Sequence, residues 1–133
     1  MDFFKDIKNY SAIELSDQVE QGFPFTAYLD FQRETGFSRT DMAGFLGVSP
    51  HYLNNKTKTD KLTKHASERL IKLNEVWVFG MACFNGNKVD FNQWLQMPLA
   101  PLHGRTPLQL MTNFIGMEEV KQLLGRIQCG VYS

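Results

Sequence analysis

The stretch RTDMAGFLGVSPHYL, residues 39–53, decides how the chain is read. Ser38 before it and Asp41 within it (SRTD) have the form of a capping box, so a helix starts at Arg39. Gly47 supplies the backbone freedom for a turn and ends that helix near Leu46. Ser49-Pro50 then combines an N-cap with proline at the first helical position, which starts a second, short and polar helix over PHYLNNKTK. Ala43 is small where the second helix crosses the first, and Met42, Leu46, Val48 and Leu53 supply the apolar contacts between them. These residue types at these positions, over fifteen residues, are those of a helix-turn-helix.

A helix-turn-helix offers its second helix to the DNA major groove, N-terminus first. The residues expected to face DNA are His51, Tyr52, Asn54, Asn55, Lys56 and Lys58, with Arg39 and the amides at Ser49 and His51 as phosphate contacts. Asn matches adenine edges, and Lys or Tyr matches phosphate. Lys56 stands where the motif usually carries an apolar residue, which shortens the recognition helix and leaves its DNA affinity open. An ordinary helical hairpin, or a motif kept for dimer packing, is the alternative.

Working outward, nearly everything reads as helix. Residues 2–20 fit one or two short helices, Gly22 and Pro24 break the chain, and a helix from about Phe25 to Glu34 stops at Gly36. Residues 63–84 are the longest periodic segment. Ala66, Leu70, Leu73, Trp77, Gly80 and Phe84 recur every three or four positions, and Val76, Phe79 and Cys83 form a second stripe. After the loop at 85–88 a short helix covers about Asp90–Leu95, with Trp94 in the core. Thr106-Pro107-Leu108-Gln109 starts another helix, and Gly116 is expected to separate it from the last. There Val120, Leu123, Leu124 and Ile127 share an inward face, and Gly130 releases the chain into a short tail. The expected fold is all-α: an N-terminal helix-turn-helix lobe over 1–62, a connecting and dimerising helix over 63–84, and a small helical lobe over 85–133.

Composition agrees with packed helices. The 133 residues are 43% hydrophobic and include eleven Phe and two Trp, which opposes disorder. Net charge is zero, so any attraction to nucleic acid is local. Residues 1–35 carry seven acids against three bases, whereas residues 51–72 carry six bases (Lys56, Lys58, Lys61, Lys64, Arg69, Lys72) against two acids. That asymmetry fits a basic surface behind the recognition helix, and equally a solvated helical face. Cys83 and Cys129 form no CxxC pair and read as small buried apolar residues in a reducing cytosol, not as a disulfide. No secretory signal is apparent. The apolar run at 76–84 is too short to cross a bilayer, so a cytoplasmic protein without membrane contact is expected.

The C-terminal 43 residues, FNQWLQMPLAPLHGRTPLQLMTNFIGMEEVKQLLGRIQCGVYS, carry a further resemblance. Trp94-Leu95 with Pro98, Gly104-Arg105-Thr106-Pro107-Leu108, Gly116, Val120 and the closing LLGRI resemble the toxin-binding domain of Xre/MbcA/ParS antitoxins. Residues 21–53 resemble the N-terminal region of Xre antitoxins that partner RES-domain toxins, and LTKHASERLIKLNEVWVFG resembles the helix joining their halves. The resemblance implies a type II antitoxin, made beside an ADP-ribosyltransferase-like, NAD-consuming toxin that it silences with its C-terminal segment. It also implies autoregulation of the operon as a dimer. Arg126, Gln128, Gly130, Tyr132 and Ser133 are the expected toxin-binding residues: an Arg for bidentate capture of a carboxylate, a Tyr for an apolar pocket. Arg126 as a solvated helix-end cation is the plainer reading.

No enzyme, cofactor or metal is expected. His51, His65 and His103 have no pair at ligand spacing, no phosphate-cradling glycine loop follows a strand, and Cys83 lies in an apolar run. The expected partners are a RES-type toxin, operator DNA and a second copy of the chain. A dimeric repressor acting alone, its C-terminal lobe serving only dimerisation, is the competing reading.

Overall fold

The computed structural model describes residues 3–129, and among them helices alternate with turns. They are α1 (Phe3–Asp6), continued by a 3-10 turn (Ile7–Asn9), then α2 (Ala12–Gln21), α3 (Phe25–Thr35), α4 (Arg39–Leu46), α5 (Pro50–Asn54) and α6 (Lys64–Cys83). The second half holds α7 (Lys88–Leu95), a 3-10 turn (Ala100–Leu102), α8 (Pro107–Leu110) and α9 (Phe114–Ile127). An isolated bridge between Pro24 and Lys61 is the only β pairing among the described residues. The all-α reading therefore holds. The chain divides into two compact units, residues 1–71 and 72–133.

Local chemistry sets most helix starts. The hydroxyls of Ser11, Ser38, Ser49 and Thr106 each accept the N–H three residues on, satisfying one of the donors that every helix start leaves open. At Ser11 and Thr106 the reciprocal half is present, from Glu14 and Gln109. At Ser38 only the hydroxyl half forms. Gly36 and Gly47 end α3 and α4 in the left-handed conformation, with φ of 78° and 71°.

The first unit is built on aromatic rings. Phe25 stacks on Tyr28 at 5.1 Å, and Phe37 meets Phe45 edge-on at 5.3 Å. Two backbone bonds join the start of α3 to the segment before α6: Leu62 N–H to the Phe23 carbonyl at 2.8 Å, and Phe25 N–H to the Asp60 carbonyl at 2.9 Å. The buried Ser67 hydroxyl accepts from Phe23 N–H and donates to the Thr63 carbonyl, both at 2.8 Å.

The second unit packs α7 and α9 with the latter half of α6. Phe91 is fully buried, with Trp77 at 5.1 Å and Phe84 at 5.4 Å between ring centres. Trp94 is buried, as expected of a core residue. On α9, Met117, Val120, Leu123 and Leu124 face the core.

Four expectations are corrected. Gly116 does not separate two helices: it lies in the first turn of α9, which Asn113 caps by accepting Gly116 N–H at 2.8 Å. A side chain at 116 would run into the Leu110 carbonyl, so glycine is there for close approach and not for a turn. Ile127 is half exposed, because the inward stripe of α9 runs out at Leu124. The recognition helix ends at Asn54, five residues long. Finally, Cys83 and Cys129 are not buried singly; they are joined as a disulfide with Cα atoms 4.9 Å apart. Cys83 is half-buried and Cys129 exposed, because one ends α6 and the other follows α9.

Among the described residues no helix is long and apolar enough to cross a membrane.

Candidate functional site

The helix-turn-helix forms as the residue pattern requires. Met42, Ala43, Leu46 and Leu53 are at most 2% exposed, and Phe45, which the pattern did not single out, is buried with them. Val48 is only half-buried. Behind the turn, Arg69 of α6 donates to the Phe45 carbonyl at 2.7 Å. A cation on the last carbonyls of α4 satisfies an acceptor the helix leaves open and meets the negative end of its dipole. Arg69 thus holds the turn from behind and is not part of a DNA-facing run.

Of the residues expected to face DNA, His51 and Asn54 are exposed on α5 and Asn55 is exposed just after it, and they are linked to one another and to Arg39 of α4. Arg39 Nη1 donates to Asn54 Oδ1 at 3.0 Å. Asn55 Nδ2 and His51 Nε2 lie 2.8 Å apart, one turn along the helix. Ser49 uses its hydroxyl to cap α5. Tyr52 is half-buried and its hydroxyl accepts Thr63 N–H at 3.0 Å, tying α5 to the segment that leads into α6. Lys56 folds over the Tyr52 ring at 4.7 Å, a cation–π contact that accounts for a charged residue at an otherwise apolar position. Lys58 is exposed in the following loop. Tyr52 is therefore positioned to hold α5 in place, while His51, Asn54 and Asn55 present the polar edge.

The positive run behind the motif is smaller than its sequence suggests. Lys64 pairs with Glu20 at 3.0 Å, Arg69 serves the Phe45 carbonyl, and Lys72 pairs with Glu75 and Glu118. Lys56, Lys58 and Lys61 are the bases that remain with the loop after α5. Within that loop Asp60 accepts from Thr57 N–H, which holds its carboxyl below the usual range and closes a turn. Arg39 also lies 5.7 Å from the Tyr28 ring centre. Burial pushes the Tyr28 phenol up, and the Arg39 charge partly draws it back.

In the second unit two of the expected toxin-binding residues, Arg126 and Gln128, lie at the end of α9. Arg126 is exposed and its Nη2 approaches Glu119 Oε1 at 3.4 Å, about two turns toward the N-terminus. Gln128 is exposed and its N–H caps onto the Leu124 carbonyl at 3.0 Å. Gly130, Tyr132 and Ser133 lie outside the described residues. The exposed apolar residues of α9 are Phe114, Ile115 and Ile127, at its two ends. The helix is braced on one side by Lys72, whose ammonium lies 2.7 Å from Glu118 and 2.8 Å from Glu75, with Lys121 3.3 Å from Glu75.

Two features of this lobe escaped the sequence reading. The Asn113 cap was masked by Gly116, the more conspicuous helix-breaking residue. The cysteine pair had no local signal, because its members are 46 positions apart.

Comparison with known proteins matches both lobes. Residues 14–75 match the family described as the antitoxin Xre-like helix-turn-helix domain. Residues 78–130 match the antitoxin Xre/MbcA/ParS C-terminal toxin-binding domain. A protein named antitoxin Xre from Photorhabdus laumondii subsp. laumondii is 27% identical over 124 residues, covering 92% of this chain and 84% of its own length. One of the same name from Yersinia enterocolitica is 25% identical over 120 residues, covering 90% of this chain and 81% of its own.

Proposed function

The chain belongs to the Xre-type antitoxins, and we propose that it is a type II antitoxin that silences a RES-domain, NAD-consuming toxin with its C-terminal segment and represses its own operon through α4 and α5. This family is one of antitoxins and not of enzymes. The observation that carries the reading is the pairing, in one chain and in this order, of a helix-turn-helix match with a toxin-binding match.

On the DNA side we assign the base-facing role to His51, Asn54 and Asn55, and phosphate contact to Arg39, Lys56, Lys58 and the α5 amides near Ser49. Tyr52 keeps its place in the site as the residue that anchors α5. On the toxin side Arg126, Gln128, Gly130, Tyr132 and Ser133 form the binding segment. Residues 1–62 are the reading part, 63–84 the joining helix and 85–133 the toxin-binding part.

A homodimer belongs to the same proposal, supported by the two-fold symmetry that paired half-sites demand. The stripes of α6 no longer argue for it: Leu70, Leu73, Val76 and Trp77 are already covered within one chain. We place the protein in the cytoplasm, with its toxin and its operator.

Co-expression with the RES-domain protein encoded beside it tests the reading. The expected result is restored growth and preserved cellular NAD, together with protection of the operon's promoter in a footprint. Promoter protection without any rescue would favour a repressor acting alone.

A further inference from the structure

Cys83 closes α6 and Cys129 follows α9, and the bond between them encloses α7, α8 and α9. It therefore spans nearly the whole toxin-binding match, residues 78–130. The core of this unit does not depend on it. Phe91, Leu95, Met117, Val120 and Leu124 are fully buried, whereas Cys83 is half-buried and Cys129 exposed. Breaking the bond removes none of those buried side chains. What it releases is the end of α9, where Cys129 N–H still reaches the Leu124 carbonyl but Arg126, Ile127 and Gln128 are all exposed. Cys129 is exposed, and disulfide exchange begins where an outside thiolate can approach the bond.

We propose that Cys83–Cys129 is a reversible thiol–disulfide site whose bonded state fixes the end of α9 and so strengthens the hold on the toxin, while reduction loosens it. The toxin half of this inference rests on the reading of the C-terminal segment given above. A segment fixed before binding loses less freedom when it binds, so the effect falls mainly on dissociation.

The chemistry balances with a low-molecular-weight disulfide as oxidant. The Cys129 thiolate attacks one of its sulfurs, forming a mixed disulfide and expelling one small thiolate. The Cys83 thiolate then attacks the Cys129 sulfur, forming the internal bond and expelling the second. Two protein thiols lose two electrons, the small disulfide is reduced to two thiols, and these take up the two protons. A low-molecular-weight thiol runs the sequence backwards.

The test equilibrates the full chain with glutathione and glutathione disulfide at fixed ratios. Thiols are counted by alkylation and mass, and amide exchange is followed over residues 120–133. The internal bond is expected to form across part of that range, with melting raised by roughly 10 °C over the reduced chain. Exchange at the end of α9 should slow on bonding, and Cys83→Ser and Cys129→Ser should behave as the reduced chain at every ratio. Absence of the bond at all ratios, or bonding that leaves exchange at the end of α9 unchanged, overturns the proposal.

An immobilised, catalytically inactive form of the adjacent RES-domain protein completes the test. Dissociation several-fold faster from reduced than from bonded chain is the expected result, with no redox response in the serine variants. Binding that is equal in both states overturns the switch. Binding absent in both states contradicts the toxin reading instead, and the thiol count and exchange still decide the bond itself.

Discussion

Arg39 in α4 donates to Asn54 in α5 across 3.0 Å, so the two helices of the turn motif are pinned by two of the residues expected to face DNA. A pair of this kind acts as a unit. Removing Arg39 frees Asn54 to turn away, and removing Asn54 frees Arg39.

For DNA binding this predicts non-additivity. Arg39→Ala and Asn54→Ala should each weaken operator binding, and the double variant should lose clearly less than the two losses together. Asn55→Ala should cost roughly 1–3 kcal/mol at one base position and relax the preference there. Lys58→Ala should weaken all sequences alike and lower the salt slope by about one. Titrations against operator and scrambled DNA at several salt concentrations read all of these.

Gly47 and Arg69 set the geometry of the turn. Gly47 has φ of 71°, and a side chain added there would lie 3.3 Å from the Arg69 guanidinium and 3.4 Å from His65. Gly47→Ala is expected to destabilise the first unit by about 1–2 kcal/mol from backbone strain alone. Arg69→Met should also destabilise it, through the orphaned Phe45 carbonyl. Urea melts of each variant check both, and a Gly47→Ala melt identical to the parent would remove the turn argument.

Two glycines do the opposite work, through closeness instead of curvature. Gly80 lets the Phe91 ring rest against the α6 backbone, and Gly116 lets α9 rest against the Leu110 carbonyl. Overpacking either contact with alanine should cost about 1–3 kcal/mol, read as a lower melting temperature of the second unit. The Gly116 variant should fare worse where it can only push on backbone, since the Phe91 ring can shift and the Leu110 carbonyl cannot.

The Lys72 cluster makes the second unit sensitive to acid. Hydrogen bonding from Lys72 holds the carboxyls of Glu75 and Glu118 below their ordinary range. Partial burial draws Lys72 down, but its bonds to Glu118 and Glu75 outweigh that and leave it raised. The carboxylates contribute stability that is present above their unfolded value near 4.5 and is lost as pH falls through their lower folded values. Lys72 contributes below its unfolded value near 10.5, and that part is lost as pH rises through its folded value. Because Glu75 and Glu118 are 49% and 45% exposed, each pair is worth at most about 1 kcal/mol. Melting temperature followed from pH 7 to pH 3 should fall less steeply in Lys72→Met than in the parent. Parallel curves would mean the cluster contributes nothing to folding.

Much of this molecule is legible along the chain because its punctuation is local. Ser49 with Pro50, Thr106 with Gln109, and the glycines at 36 and 47 act on backbone groups within four residues, so their effect can be read without knowing the fold. The misread positions depend on distant partners. Gly116 reads as a turn until the Leu110 carbonyl is seen beside it. Ile127 keeps the helical period of Leu123 and Leu124 after the surface they pack on has ended. Lys64 and Lys72 read as a free basic run until Glu20 and Glu118 are brought to them. The disulfide joins residues that no periodicity connects. At the candidate DNA site the internal bonds were not legible along the chain; they assign Tyr52 and Arg69 to holding the motif together.

The most direct measurement compares toxin binding by the full chain, by a chain ending at Cys129, and by Arg126→Ala, against an inactive form of the proposed RES-domain toxin. Ending at Cys129 keeps α9 and the disulfide, so folding can be checked by an unchanged melting temperature. Tight binding by the full chain is expected, with at least a tenfold loss in each altered chain, equivalent to about 1.4 kcal/mol. Undiminished binding by both altered chains, with folding intact, would contradict the claim that this segment holds the toxin.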